Sequence, residues 1–182
     1  DCPEPDLDEW KAMVDAAKHP VQEVTVALVG KYIAVHDAYI SVVESLKHAG
    51  YPSRCTVNIK WVDSEEVTDE NAAEIFSDVS GILVPGGFGS RGIDGKIASI
   101  KYARENNIPF LGLCLGMQLL FEYSMEFTRT AGLSLICGSV IPIDAKAQGL
   151  KVPHIGWNSL CLKGESPVLE GVHTGDFVYF VH

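Results

Sequence analysis

Long apolar runs are missing from this sequence. None approaches the roughly 20 residues of a membrane-spanning helix, although hydrophobic residues make up 47% of the chain. Its 182 residues are enough for a soluble globular domain with a sizeable core. Basic residues are scarce, 14 Lys and Arg against 24 Asp and Glu, for a formal charge of −10. With no basic patch, nucleic acid and anionic membrane surfaces are excluded as partners. The five cysteines (Cys2, Cys55, Cys114, Cys137, Cys161) form no metal-ligand pairs, and their number is odd. A disulfide framework and a metal centre are therefore not expected, and a reducing, cytoplasmic compartment is. The first residues lack the basic stretch and apolar core of a signal peptide. Internal repeats and low-complexity segments are missing too.

What is present is an alternation of strand-like and helix-like segments. Residues 1–20 read as an acidic linker followed by a short amphipathic helix. Leu7, Trp10, Met13, Val14 and Ala17 lie at helical spacing there, and His19-Pro20 ends the pattern. Residues 21–182 read as one further domain. Strands are expected over Val24–Val29, Thr56–Val62, Gly81–Val84 and from Ile108 to the residues before Cys114. Helices are expected over Asp37–His48, Asp69–Phe76, Ile93–Arg104 and Met117–Met125. From Gly132 the helical period fades into short β-like runs: Leu135-Ile136, Val140–Ile143, Trp157–Leu162 and Phe177–Val181. The pattern implies an α/β fold: an open, mostly parallel sheet with helices on both faces and a late β-rich extension of that sheet.

Two glycine-bearing loops invite a phosphate and resist it. Gly30-Lys31 follows a strand, but the earlier glycine of a Walker loop and the Ser or Thr after the lysine are lacking. Gly87-Phe88-Gly89-Ser90-Arg91-Gly92 matches the dinucleotide fingerprint in form. That fingerprint needs an acid about 20 residues on, at the end of the next strand, and here that strand ends at Leu113-Cys114. No cofactor is called for.

The stretch richest in chemistry is Gly112-Leu113-Cys114-Leu115-Gly116, where a buried-type strand meets a helix. Glycines two residues either side of a cysteine suit a nucleophile on a sharp turn, where side chains would be crowded. A helix N-terminus behind the cysteine would favour a thiolate. The Gly87 N–H from the preceding loop and the Leu115 N–H could together hold an oxyanion. His154, Trp157 and Asn158 sit together in a later turn that suits either a contact surface or a structural role.

Gly112–Gln118, taken with Pro85-Gly86-Gly87-Phe88-Gly89, resembles the nucleophile motif and oxyanion loop of the class I (triad) glutamine amidotransferases, which have a flavodoxin-like fold. Residues 7–118 resemble the glutaminase domain of CTP synthases. The resemblance is carried by Leu7-Asp8-Glu9-Trp10, Val29-Gly30-Lys31-Tyr32, His36-Asp37-Ala38-Tyr39 and Pro85 to Gly92. Residues 119–182 resemble the glutaminase subunit of imidazole glycerol phosphate synthases, through Lys151 to Asn158 and Tyr179-Phe180-Val181-His182. A chimera of two related domains would read this way, and so would a divergent relative. The resemblance implies that Cys114 attacks L-glutamine to form a thioester, with Gly87 and Leu115 as oxyanion donors. It further implies that Gly87, Leu115, Gln118 and Glu126 bind substrate, and that ammonia passes to a synthase domain or subunit.

One part of that pattern is missing. The family activates its cysteine with a histidine that is oriented by a glutamate two residues later. His19, His36, His48, His154 and His173 are each followed two residues on by something other than an acid, and His182 is the last residue. The expectation is therefore that the catalytic His and Glu lie beyond His182 and that this chain alone hydrolyses glutamine poorly.

Overall fold

A computed structural model describes residues 4–181, apart from Phe88, Ser90, residues 146–148 and Leu150. The chain divides into two compact units, residues 1–140 and 141–182.

The first unit is built on a four-stranded parallel sheet in the order β2-β1-β3-β4. Its strands are β1 (Gln22–Gly30), β2 (Cys55–Asp63), β3 (Gly81–Val84) and β4 (Phe110–Gly112). The alternation of side chains along a strand sends neighbouring residues to opposite faces, and two buried clusters result. Ala27, Val29, Ile82 and Val84 face one way and pack with Phe76, Ala98, Ile100 and Ala103. Leu28 and Leu83 face the other way, with Tyr39 and the half-buried Val42, Val43 and Leu46. Helices α3 (Ala72–Ile75) and α4 (Ile93–Glu105) supply the first cluster. The second is supplied by α2 (Ile40–Gly50) and the 3-10 turn His36–Tyr39 before it. The expected open parallel sheet, covered on both faces, is what forms. Because apolar side chains are needed on both faces, the central strands read as near-continuous apolar runs.

Helix α1 (Asp8–Lys18) buries no residue. It is tied by its Asp15 carboxylate to Arg54, 2.6 Å away. Its chain stops where expected, with the His19 N–H donating to the Asp15 carbonyl.

Three expectations need correction. The helix foreseen over 69–76 is the single turn α3. The one foreseen over 117–125 is the single turn α5 (Leu115–Gln118), after which the chain enters β5 (Phe121–Ser124). Phe121 and Tyr123 are aromatic residues at alternate positions, a pattern that suits a strand better than a helix. The late β-rich part also does not extend the main sheet. Strands β5, β6 (Thr130–Ala131) and β7 (Ile136–Val140) make a separate mixed sheet, with β5 parallel to β7 and antiparallel to β6.

The second unit holds the antiparallel pair β8 (Ile155–Ser159) and β9 (Phe177–Val181). Its register sets Ile155 opposite Val181, Trp157 opposite Tyr179 and Ser159 opposite Phe177. Among the described residues no helix is long and apolar enough to cross a membrane.

Candidate active site

The site is assembled at the carboxyl ends of β3 and β4, where a parallel sheet opens its loops. Strand β4 ends at Gly112, and the Leu113 N–H donates to the Val84 carbonyl at 3.0 Å, holding the chain beside β3. The backbone then turns at Cys114, which has φ 53° and ψ −113°. A non-glycine residue in that region is strained. The turn is closed behind it by two N–H groups, of Met117 and Gln118, which donate to the Cys114 carbonyl at 3.0 and 2.9 Å.

The flanking glycines are explained by what surrounds them. A methyl group on Gly112 would lie 2.5 Å from the Gly116 carbonyl oxygen. One on Gly116 would overlap the Val84 carbonyl. Both obstacles are backbone and cannot swing aside. The elbow expected from the sequence is therefore present, and Cys114 is a free, exposed thiol on its apex. The helix behind it is only one turn, so the expected macrodipole contribution to a thiolate is not available from α5. As first residue of that turn, Leu115 has an N–H without an intrahelical acceptor.

The loop after β3 lies against the nucleophile. A methyl group on Gly86 would be 3.3 Å from the Cys114 sulfur, and one on Gly87 would be 3.3 Å from Lys96 Nζ. The Gly86-Gly87 turn thus lies between Cys114 and Lys96. Phe88 and Ser90 of that loop lie outside the described residues. Farther along, Gly89 has φ 79° and stands near Lys31 Nζ, and Arg91 pairs with Glu65 at 2.6 Å.

The motifs of the sequence do not include Lys96. The residue is 2% exposed, on the buried side of α4. Burial and the neighbouring Lys31 push its pKa below the ordinary lysine value, while the charge of Cys114 pulls it back up. The signal that could have revealed it is a lysine one turn before Ile100, on the face that also carries Ala103.

The remaining expected residues divide. Gln118 is half-buried on α5, one turn from Cys114. Glu126 is not on that helix. It is exposed beyond β5, its N–H donating to Ser124 Oγ at 3.3 Å, and none of its described contacts reaches Cys114. Each of the five described histidines has a local partner. His19 contacts Asp15, His36 stacks on Trp61 with centroids 4.2 Å apart, and His48 meets Tyr51. In the second unit His154 Nε2 lies 2.9 Å from Asn158 Oδ1, and His173 lies near Asp176. His182 is outside the described residues. Among the described residues no cluster of three His, Cys, Asp or Glu could hold a metal ion.

Residues 34–182 match the family model described as "Glutamine amidotransferase class-I". The chain belongs to the class-I glutamine amidotransferases. A CTP synthase of Staphylococcus carnosus (strain TM300) is 61% identical over 123 residues, 68% of this chain and 22% of that protein. A CTP synthase of Staphylococcus aureus (strain JH9) is 60% identical over 126 residues, 69% of this chain and 23% of that protein. Among solved structures, "Trypanosoma brucei CTPS - glutaminase domain with bound acivicin" is 43% identical, with a TM-score of 0.49, covering 52% of this chain and 38% of that one. The chain thus spans under a quarter of the length of these curated relatives. The likeness of residues 119–182 to imidazole glycerol phosphate synthase rests on the residues quoted for it alone.

Proposed function

We propose that this chain is the glutaminase part of a CTP synthase and that its substrate is L-glutamine. The observation that carries the reading is the strained Cys114 elbow, set between two obligatory glycines and against Gly86. Family membership and the CTP synthase relatives support it.

The chemistry follows from these positions. The Cys114 thiolate adds to the side-chain amide carbon of glutamine. A C–S bond forms, and the carbonyl π pair moves to oxygen. The N–H groups of Gly87 and Leu115 receive that oxyanion. Collapse expels ammonia, which must take up a proton as it leaves, and water then cleaves the thioester to glutamate. Gln118, half-buried beside the elbow, would hold the substrate's polar end. Glu126 would have to reach the same ligand from beyond β5. Ammonia then passes to a synthase domain, in a reducing, cytoplasmic setting.

Proton delivery to the leaving nitrogen is the step for which the described residues offer no histidine followed two residues later by an acid. Capture and turnover therefore separate. The chloroketone analogue of L-glutamine is expected to label Cys114 selectively over the other cysteines, read by peptide mass spectrometry. Ammonia release from glutamine by these 182 residues alone is expected to stay near background. Equal labelling of the exposed Cys114, Cys137 and Cys161 would overturn the proposal. So would ammonia release that survives Cys114→Ala.

A further inference from the structure

Lys96 is a buried residue whose ammonium has no carboxylate partner among the described residues. Drawing a charge even partly out of water costs free energy unless something compensates it, so its position asks for a reason. Its ammonium lies where a methyl group on Gly87 would come within 3.3 Å, and the adjacent Gly86 is in the same relation to the Cys114 sulfur. Lysine, glycine turn and nucleophile are therefore consecutive layers of one site. We propose that Lys96 is a positioning residue for the oxyanion turn, its ammonium bracing Gly87 against Cys114 and adding positive field where the carbonyl oxygen becomes an anion.

This rests on the glutaminase reading above and adds to it a residue outside the nucleophile and its backbone donors. The step concerned is the addition alone. The Cys114 thiol gives its proton to solvent, its sulfur bonds to the carbonyl carbon, and the π pair becomes an oxyanion. A preorganised cation behind the turn is aimed at charge that appears only in that step. The charged groups acting on Lys96 are Lys31, at the end of β1, and Cys114 itself. Lys31 opposes the ammonium, and an anion at the elbow relieves it. Helix α4 places the lysine by burying Ser99, Ile100 and Ala103 around the same face.

The test compares two electrophiles on the full chain. The chloroketone analogue of L-glutamine reacts through an oxyanion adduct, whereas iodoacetamide alkylates sulfur directly without one. The ratio of the two Cys114 capture rates, read by mass spectrometry, isolates the oxyanion from any change in the thiol. Lys96→Met keeps the volume and removes the charge, and because it removes a partly desolvated charge it is expected to fold as stably as the parent. The ratio is expected to fall about tenfold in Lys96→Met and to recover largely in Lys96→Arg. An unchanged ratio overturns the proposal, whether both rates hold or both fall together, because Lys96 would then serve the fold or the thiol only. If the parent chain itself resists the chloroketone, the glutaminase reading fails and this proposal falls with it.

Discussion

At the scale of single residues the elbow sets function against stability. Cys114 sits at φ 53° and ψ −113°, where a side chain costs about 1–3 kcal/mol and glycine costs little. Cys114→Gly is therefore expected to raise stability by about 1 kcal/mol in urea unfolding while abolishing chloroketone capture. A variant less stable than the parent would show that the turn is unstrained. The neighbouring glycines respond in the opposite direction. Gly116→Ala drives a methyl group into the Val84 carbonyl, and Gly112→Ala drives one to 2.5 Å from the Gly116 oxygen. Each should lose about 1–3 kcal/mol. Capture should slow as well, because either methyl displaces the turn that holds the sulfur. Unfolding midpoints within error of the parent would refute the packing argument.

Among elements, the connection from β1 into α2 is held by one hydroxyl. Tyr39 Oη accepts the N–H groups of Lys31 and Tyr32 at 3.1 and 3.2 Å, and its ring end closes over Gly30. Tyr39→Phe is expected to cost about 1 kcal/mol, measured by urea unfolding, since two N–H groups lose their acceptor. Helix α1 is held more weakly and by charge. Arg54 beside Asp15 holds that carboxyl below the usual carboxylate range. A depressed acid stabilises above its unfolded value of 3.8 and loses that contribution as pH falls through the lower folded value. Amide protection factors in α1, measured against the intrinsic exchange rate at each pH, should therefore fall below about pH 4 and in high salt, and Arg54→Ala should remove both dependences. The same elements show what could be read from the residues alone. β3 was legible to the residue, because Gly81–Val84 is a short apolar run between a polar stretch and a glycine loop. The elbow was legible because only backbone crowding explains two glycines around a cysteine. α5 was not. Leu119, Leu120 and Phe121 continue a plausible helical stripe, and only tertiary pairing of β5 with β6 and β7 turns that segment into a strand. Lys96 was hidden for a related reason. A lysine on a helix is nearly always a solvated residue, and its burial follows from how α4 packs on the sheet beside the Gly87 turn.

At the scale of the whole molecule the two units differ in what they bury. Both clusters of fully buried hydrophobic residues belong to residues 1–140. In residues 141–182 the paired strands leave Ile155, Trp157, Phe177, Tyr179 and Val181 more than half exposed. A two-stranded antiparallel pair of this kind is marginal by itself in water. The tryptophans happen to report on the two parts. Trp61 is half-buried at the end of β2 and stacked on His36, whereas Trp157 meets Tyr179 edge-on in β8. In a Trp10→Phe, Trp157→Phe chain, fluorescence follows the first unit alone. The difference between Trp10→Phe chains with and without Trp157 follows the second. The Trp157 signal is expected to unfold at lower urea than the Trp61 signal, because apolar burial is what raises a unit's stability. Chloroketone capture at Cys114 should survive at urea concentrations where Trp157 has already lost its native emission and disappear together with the Trp61 signal. Coincident transitions for both tryptophans would mean that residues 1–182 unfold as one cooperative body. Loss of capture with the Trp157 transition would mean that the second unit is needed to keep the elbow in its reactive form.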